Sequence, residues 1–220
     1  MRIIGTILFS IFIIFIFSCE TTEQHHVPKT ANEALKELME GNQRYINNVP
    51  IHHDFIDEAH YSEKDQHPHT FVLSCIDSRV PPEIVFDQGI GNLFVARVAG
   101  NIEDDNILGS MEYAVQVKGT KLLVVLGHSN CGAVQGAIDN VNLGHLTQLT
   151  NQIKVAFSKH KTYPLPEHLS NETGRLNVLS TIDHILSSSQ IIRELVNKKK
   201  IKIVGTFYDL HTGKVELLQS

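Results

Sequence analysis

The chain has 220 residues, of which 42% are hydrophobic and 20% are charged, and its formal net charge is -5. This composition is that of a globular protein with a sizeable core, and the length fits one ordinary domain with some additional sequence. The acidic balance and the lack of a basic stripe argue against a nucleic-acid partner.

Residues 1–18 have the pattern of an export signal. Arg2 precedes a nearly unbroken apolar run at 3–17, and a run of about 15 residues is short for a membrane-spanning helix, which needs roughly 20. The run ends at Ser18-Cys19, which resembles the cleavage box of bacterial lipoproteins, where the cysteine becomes the lipidated first residue. We therefore expect an exported protein, anchored through Cys19 and a polar tether at 19–29 to a bacterial membrane, facing the periplasm or the cell exterior. The alternative is an uncleaved anchor.

The first helix is predicted to begin at Thr30, because Thr30 and Glu33 have the spacing of a capping box. Apolar residues follow at helical spacing, and this segment forms an N-terminal helical arm. Residues 48–69 are rich in His, Asp and Pro and predict a wrapping loop. Residues 70–75 are a short apolar run, which is typical of a buried strand.

Further along the chain, predicted strands alternate with predicted helices. The strands are 93–98, 121–126, 201–207 and 215–218, and the helices are 104–117, 131–139, 145–160 and 175–197. This alternation indicates an α/β fold with a mainly parallel central β-sheet flanked by helices. We expect about four parallel strands plus a short C-terminal edge strand in a single domain at 30–220.

Two short segments carry residue types that bind zinc. Cys75 opens the first, Cys75-Ile76-Asp77-Ser78-Arg79, and the second holds His128 and Cys131. Thiolates favour zinc over magnesium or calcium, and three protein ligands leave the fourth position open, as in catalytic zinc sites. Cys75 and His128 each follow a predicted strand, and open α/β sheets bind ligands at the carboxyl ends of their strands. The sequence therefore predicts a catalytic zinc site at that edge of the sheet.

Two other interpretations of the same residues stay open. In one, Cys131 is a nucleophile with His128 as its base, which leaves Cys75 and Asp77 without a role. In the other, Cys75 and Cys131 form a structural disulfide, as paired cysteines commonly do in an oxidising compartment. A bound metal would protect both thiolates, so a disulfide and a metal exclude each other. The presence of His128 favours the metal, since a disulfide does not need a histidine.

Asp77 and Arg79 are one residue apart, so both side chains can face the same pocket. In the functional interpretation, a bidentate guanidinium keeps the carboxylate ionised and directed at a metal-bound water. The same carboxylate could instead move onto the metal as a fourth ligand. The alternative is a surface ion pair worth about 0–1 kcal/mol. The position directly after Cys75 favours the functional interpretation.

The two motifs, Cys75-x-Asp77-Ser78-Arg79 and His128-x-x-Cys131-Gly132, resemble those of the β-class carbonic anhydrases. The similarity extends from residue 30 to residue 216, and its further stretches are Ser78-Arg79-Val80-Pro81-Pro82-Glu83, Arg97-Val98-Ala99-Gly100-Asn101 and Gly127-His128-Ser129-Asn130-Cys131-Gly132-Ala133. The resemblance implies reversible hydration of carbon dioxide to bicarbonate and a proton by a zinc-bound hydroxide. It implies one Zn²⁺ per chain, with Cys75, His128 and Cys131 as ligands and Asp77 with Arg79 as the dyad that orients the nucleophile.

The resemblance also implies a substrate pocket. Gln66, Phe94 and Tyr113 match the family's pocket positions, which line the site from across a dimer interface, and Gly132 belongs to the same pocket. Gln66 would offer an amide donor, while Phe94 and Tyr113 would keep the approach apolar. The alternatives are a loop glutamine, a core phenylalanine and a half-buried tyrosine. A shared pocket implies a homodimer or a multiple of dimers.

Two further functions stay open. The same zinc site would serve a hydrolase of carbonyl sulfide or carbon disulfide, and a Cys75–Cys131 disulfide would make the protein non-catalytic. The chain has no tryptophan, whereas some bacterial members of the family use one in a second, inhibitory bicarbonate site. This absence argues against that regulation and predicts an open zinc that carries water.

Overall fold

The computed structural model describes residues 27–158 and 169–218. The expected signal at 1–18, Cys19 and most of the tether lie outside these ranges, so the lipid anchor stays a prediction. Within the two ranges, no helix combines the length and the apolar character needed to cross a bilayer.

The centre of the fold is a five-stranded sheet with the order β2-β1-β3-β4-β5. Its strands are β1 Thr70–Ser74, β2 Leu93–Arg97, β3 Leu122–His128, β4 Lys202–Tyr208 and β5 Val215–Leu218. The first four are mutually parallel, and β5 pairs antiparallel with β4 at one edge. The predicted α/β sheet of four parallel strands and a short C-terminal edge strand is confirmed.

Helices cover both faces of this sheet. In chain order they are α1 Ala31–Ile46, α2 Phe55–Ser62, α3 Pro82–Val85, α4 Asp105–Gln116, α5 Gly132–Ile138, α6 Gly144–Ser158, α7 Leu169–Ser188 and α8 Gln190–Asn197, with a 3₁₀ turn at Ala99–Asn101. Alternate residues of β3 point to opposite faces: Leu123 packs in the cluster with α4, α7 and α8, whereas Val124 packs in the cluster with α1 and α3. Strands buried on both faces explain the continuous apolar runs in the sequence.

Local capping groups start two of the helices, and the first of these caps was predicted. Thr30 Oγ1 accepts a hydrogen bond from the Glu33 N–H at 3.2 Å, and the Glu33 carboxylate accepts from the Thr30 N–H at 3.1 Å. This capping box starts α1. The Asp104 carboxylate likewise accepts from the Ile107 N–H at 2.9 Å and starts α4. The Thr30–Glu33 signal lies within four residues of sequence, which is why it could be recognised without the fold.

The N-terminal helix is tied to the rest of the domain by Asn42, which is fully buried. Its Nδ2 donates to the carbonyl oxygens of Val85 and Gly213 at 3.0 and 2.9 Å, and its Oδ1 accepts from the Val215 N–H at 2.9 Å. One side chain thus satisfies three main-chain groups from two distant segments. Leaving such buried groups unpaired costs about 1–3 kcal/mol each, so Asn42 contributes strongly to holding α1 against the sheet.

Two predicted elements differ from the structure. The segment 48–69 was expected to be a loop, but it contains α2, which Asp54 caps by accepting from the Asp57 N–H. The predicted helix at 175–197 is two helices, because Ser189 breaks from helical geometry and its hydroxyl accepts from the Ile192 N–H at the start of α8. The Ser189 hydroxyl also donates to the Glu112 carboxylate at 2.6 Å, which fixes the break against α4.

Candidate metal centre

Three residues at the boundaries of secondary-structure elements meet at one edge of the sheet. Cys75 directly follows β1, His128 is the last residue of β3, and Cys131 is the N-cap of α5. Because β1 and β3 are adjacent and parallel, their carboxyl ends lie side by side. The fold therefore brings together residues that are more than fifty positions apart in the sequence.

The donor atoms of Cys75, His128 and Cys131 all lie within 4.8 Å of one another, and all three residues are buried. The two sulfur atoms are 3.9 Å apart and both cysteines are free. A disulfide needs about 2.05 Å between its sulfurs, whereas two thiolates on a tetrahedral zinc with bonds of about 2.3 Å lie about 3.8 Å apart. The separation matches shared coordination of one metal ion.

The imidazole of His128 is oriented for metal binding. Its Nδ1 donates to the Ser129 carbonyl oxygen at 2.9 Å, so in the neutral ring the lone pair lies on Nε2. That Nε2 is buried and has no hydrogen-bond partner among the described residues. A buried polar atom without a partner lowers the stability of the fold unless a ligand such as a metal ion binds it. Metal-bound histidines are commonly oriented by a hydrogen bond from their other ring nitrogen. The unprotonated Nε2 is therefore available as a metal ligand beside the two sulfurs.

The pKa values of the two cysteines are shifted in opposite directions. The Cys75 pKa is lowered to about 4, chiefly because of the hydrogen bond with the Cys131 side chain; burial opposes this shift. The Cys131 pKa is raised by the same hydrogen bond and by burial. The hydrogen bond between the sulfurs thus favours the deprotonated form of Cys75 and the protonated form of Cys131. A metal ion binding to both would displace that proton, because thiolates and not thiols are metal ligands.

Asp77 and Arg79 form a bidentate pair beside the three donors. Asp77 Oδ1 accepts from Arg79 Nε at 2.9 Å and from the Arg79 N–H at 3.0 Å, and Oδ2 accepts from Arg79 Nη2 at 2.7 Å. These hydrogen bonds hold the pKa of the Asp77 carboxyl well below its usual range. Asp77 Oδ2 lies 3.9 Å from His128 Nε2. An ionised carboxylate is therefore held next to the candidate metal ligands, as the sequence predicted for this pair.

Comparison with known proteins agrees with this arrangement. A family model described as carbonic anhydrase matches residues 70–215. Carbonic anhydrase 2 of Mycobacterium tuberculosis is 36% identical over 188 residues, which cover 84% of this chain and 91% of that protein. A β-carbonic anhydrase structure from Sordaria macrospora has a TM-score of 0.66 and 26% identity, and covers 85% of this chain and 94% of that one. The chain belongs to the β-class carbonic anhydrases. Enzymes of this family hydrate carbon dioxide reversibly with zinc, and this chain is one of them.

A second solved structure supports the fold of this β-carbonic anhydrase. The enzyme of Aspergillus fumigatus superposes with a TM-score of 0.69 at 22% identity, covering 86% of this chain and 90% of that chain. The donor set fits the zinc ion that the family uses, because two soft sulfurs and one unpaired imidazole nitrogen converge in a buried position.

The predicted pocket residues of this β-carbonic anhydrase are distributed over separate surfaces of one chain. The Phe94 and Tyr113 rings contact edge to face, with centroids 6.1 Å apart, and both line an open cavity of about 570 Å³ along β2. Gln66 is exposed in the loop before β1, and Gly132 is exposed at the start of α5, next to Cys131. Among the described residues, the lining of the β2 cavity includes neither Gln66 nor any of the three donors. A single chain thus joins Phe94 with Tyr113 but does not bring them to the metal centre.

The sequence did not reveal which residues hold the site in place. Arg97 donates to the carbonyl oxygens of Cys75 and Asp77 at 2.9 and 2.6 Å, and so it fixes the loop that carries both. The Gly100 N–H donates to the Cys75 sulfur at 3.3 Å. Asn171 accepts from the Asn130 N–H at 3.0 Å. Arg97 and Gly100 belong to a stretch that contributed to the resemblance, but contacts to main-chain atoms leave no pattern of their own in a sequence.

Proposed function

We propose that this β-carbonic anhydrase hydrates carbon dioxide to bicarbonate and a proton at the centre formed by Cys75, His128 and Cys131. The observation that carries the proposal is the buried His128 Nε2, which has no partner among the described residues and faces two unbonded sulfurs within 4.8 Å. These three residues would hold zinc and leave one coordination position free. Zinc bound there would lower the pKa of a coordinated water to about 7, which supplies hydroxide at neutral pH.

Asp77 acts on the nucleophile as a hydrogen-bond acceptor. An ionised carboxylate has about four acceptor positions and no donor, and Arg79 fills three of them, two on Oδ1 and one on Oδ2. The remaining position is on Oδ2, the oxygen that lies 3.9 Å from His128 Nε2. Because Arg79 keeps Asp77 ionised, Oδ2 accepts a hydrogen bond from the attacking oxygen and turns a lone pair of that oxygen toward the carbon of carbon dioxide.

A stopped-flow measurement tests this function against the two alternatives. We expect the purified chain to carry about one zinc and no disulfide, and to accelerate carbon dioxide hydration by more than it accelerates hydrolysis of carbonyl sulfide. Faster turnover of carbonyl sulfide or carbon disulfide would assign the site to the sulfur-analogue hydrolases. A chain without zinc and without free thiols at Cys75 and Cys131 would be a non-catalytic protein with a structural disulfide.

The pocket residues support a homodimer or a multiple of dimers. Phe94 and Tyr113 present an apolar surface along β2, which is an edge strand of the sheet and can receive a second copy. The Sordaria macrospora relatives are tetrameric. In a dimer, Gln66, Phe94 and Tyr113 of one protomer would complete the metal centre of the other, with Gly132 contributing from the protomer that holds the metal.

Mixing two inactive variants tests whether the pocket is shared. Cys75→Ser removes a metal ligand, and Tyr113→Ala opens the pocket. In a mixed dimer, one site combines the intact metal centre of the second variant with the intact pocket of the first. We therefore expect co-refolded variants to recover activity that neither has alone, up to about one working site in each mixed dimer. Absence of recovery in mixed dimers isolated with two different affinity tags would place the pocket within one chain.

The N-terminal sequence supports export and attachment to a bacterial membrane through a lipid on Cys19, with 30–220 as the catalytic domain. One acyl chain gives only marginal membrane binding, whereas the multiple chains of a lipoprotein anchor firmly. We expect the full chain to fractionate with membranes and to incorporate labelled palmitate, and Cys19→Ala to lose the label. Lys29→Ala, in the same tether, is the matched control. Labelling that survives Cys19→Ala would contradict the lipid site. Fractionation of the full chain with membranes without any label would favour an uncleaved anchor.

A further inference from the structure

The thiolate of Cys75 receives a hydrogen bond from a main-chain group that belongs to a different loop. The Gly100 N–H donates to the Cys75 sulfur at 3.3 Å, in a buried position. Gly100 lies in the 3₁₀ turn that follows β2, and its φ of 73° is in the left-handed region that glycine adopts without strain. The direction of this N–H therefore depends on a turn whose central residue has unusual conformational freedom.

Packing restricts this turn on one side. A side chain on Gly100 would place its Cβ 2.6 Å from Cδ1 of Ile153 and 3.4 Å from Cβ of Ala133. The turn is thus pressed against α6 and the start of α5. Apolar contacts of this kind are non-directional, and they do not by themselves fix where the N–H of Gly100 points.

A directional contact comes from α7. Asn177 is 2% exposed, and its Nδ2 donates to the Gly100 carbonyl oxygen at 2.7 Å. The N–H and the carbonyl of Gly100 flank the same Cα, so a donor that holds the carbonyl also limits the rotation of the N–H. Asn177 itself sits on a rigid element, because the adjacent Val178 is fully buried in the core beneath β3.

We propose that Asn177 is a positioning residue for the metal centre, which holds the Gly100 carbonyl so that the Gly100 N–H stays directed at the Cys75 sulfur. The inference rests on the proposed function, in which Cys75 is a zinc ligand. A hydrogen bond to a thiolate ligand removes charge from the sulfur and fixes its direction, and outer partners of this kind tune metal sites. The effect of Asn177 on the metal is transmitted through one glycine and one hydrogen bond to sulfur.

The direct test uses the full chain loaded with ¹¹³Cd and labelled with ¹⁵N. We expect scalar coupling from ¹¹³Cd to the β-protons of Cys75 and, through the N–H···S hydrogen bond, to the Gly100 amide proton. Missing coupling to the Cys75 β-protons would remove Cys75 from the ligand set and thus overturn the proposed function. Coupling to the Cys75 β-protons without coupling to Gly100 would overturn only the positioning inference.

The variant Asn177→Leu keeps the number and branching of the side-chain heavy atoms and removes the donor. We expect it to lose most of the ¹¹³Cd–Gly100 coupling and to bind zinc about 10–100-fold more weakly in chelator competition. The matched control is Thr173→Val, one turn earlier on α7, because the Thr173 hydroxyl is buried and has no partner among the described residues. The control should keep both the coupling and the zinc affinity. Unchanged coupling and affinity in Asn177→Leu would overturn the inference.

If Asn177→Leu does not fold, the inference can still be tested in the wild-type chain. The hydrogen bond from Asn177 Nδ2 to Gly100 should produce a coupling between that nitrogen and the Gly100 carbonyl carbon. If this coupling and the ¹¹³Cd–Gly100 coupling are both present, they support the inference that Asn177 acts on the Cys75 sulfur through Gly100. Absence of the coupling between Asn177 Nδ2 and the Gly100 carbonyl carbon shows that Asn177 does not hold the carbonyl, and this result overturns the inference without any substitution.

Discussion

Replacing Cys75 by serine is expected to remove zinc from the chain and to lower carbon dioxide hydration to the uncatalysed rate. The hydrogen bond between the two sulfurs lowers the pKa of Cys75 to about 4, and a thiolate at this position would be a strong zinc ligand. A serine hydroxyl is not deprotonated at neutral pH and is a poor zinc ligand. Because loss of an outer partner already costs about 10–100-fold in metal affinity, loss of this ligand should cost at least about 10²-fold. Zinc analysis and stopped-flow kinetics on the purified variant measure both effects.

The neighbouring Ser74→Ala is the matched control for Cys75→Ser. Ser74 is the last residue of β1, it is fully buried, and its hydroxyl has no partner among the described residues. The control therefore disturbs the same strand end without removing a metal donor, and it should keep its zinc and its activity. A Cys75→Ser protein that retains one zinc per chain and the wild-type rate would exclude Cys75 from the metal centre.

The elements that sequence analysis predicted are those whose signals are local or chemical. Strand β3 is a run of buried residues, and the α1 capping box lies between Thr30 and Glu33, so both could be found in a short window. Cys75, His128 and Cys131 were found because two thiols and one imidazole together are typical zinc ligands. In a parallel sheet the carboxyl ends of the strands lie at one edge, so the sequence predicted that Cys75 and His128 share that edge. The direct pairing of β1 with β3 is seen only in the fold.

The missed elements depend on contacts that a short window does not contain. Helix α2 buries none of its residues, and Phe55 and Ile56 are exposed at its start, so it has no apolar periodicity facing a core. The break at Ser189 was missed because apolar residues continue at helical spacing on both sides of it. Its partner Glu112 is 77 residues away in sequence.

The supporting contacts of the metal centre were missed for a related reason. Asn177 bonds the Gly100 carbonyl from 77 residues away, and Arg97 bonds the Cys75 carbonyl from 22 residues away. Every residue except proline offers the same main-chain N–H and carbonyl, so the identity of the partner residue does not indicate the contact. The candidate metal ligands could thus be predicted from the sequence, whereas the residues that orient them are identified only in the fold.

Asp77→Asn is expected to keep zinc and to lower kcat by about 10²–10³-fold, the usual cost of removing one preorganised hydrogen-bonding group from an active site. Asn is isosteric with Asp, and the Oδ1 position accepts two hydrogen bonds from Arg79, so the amide oxygen should take that position. The NH₂ group then occupies the Oδ2 position and presents donors where the nucleophile needs an acceptor. Zinc analysis with stopped-flow hydration separates this effect from metal loss. The control is Asp183→Asn, an exposed carboxylate on α7, which should leave kcat unchanged. Wild-type kcat in Asp77→Asn would show that Oδ2 does not accept a hydrogen bond from the nucleophile.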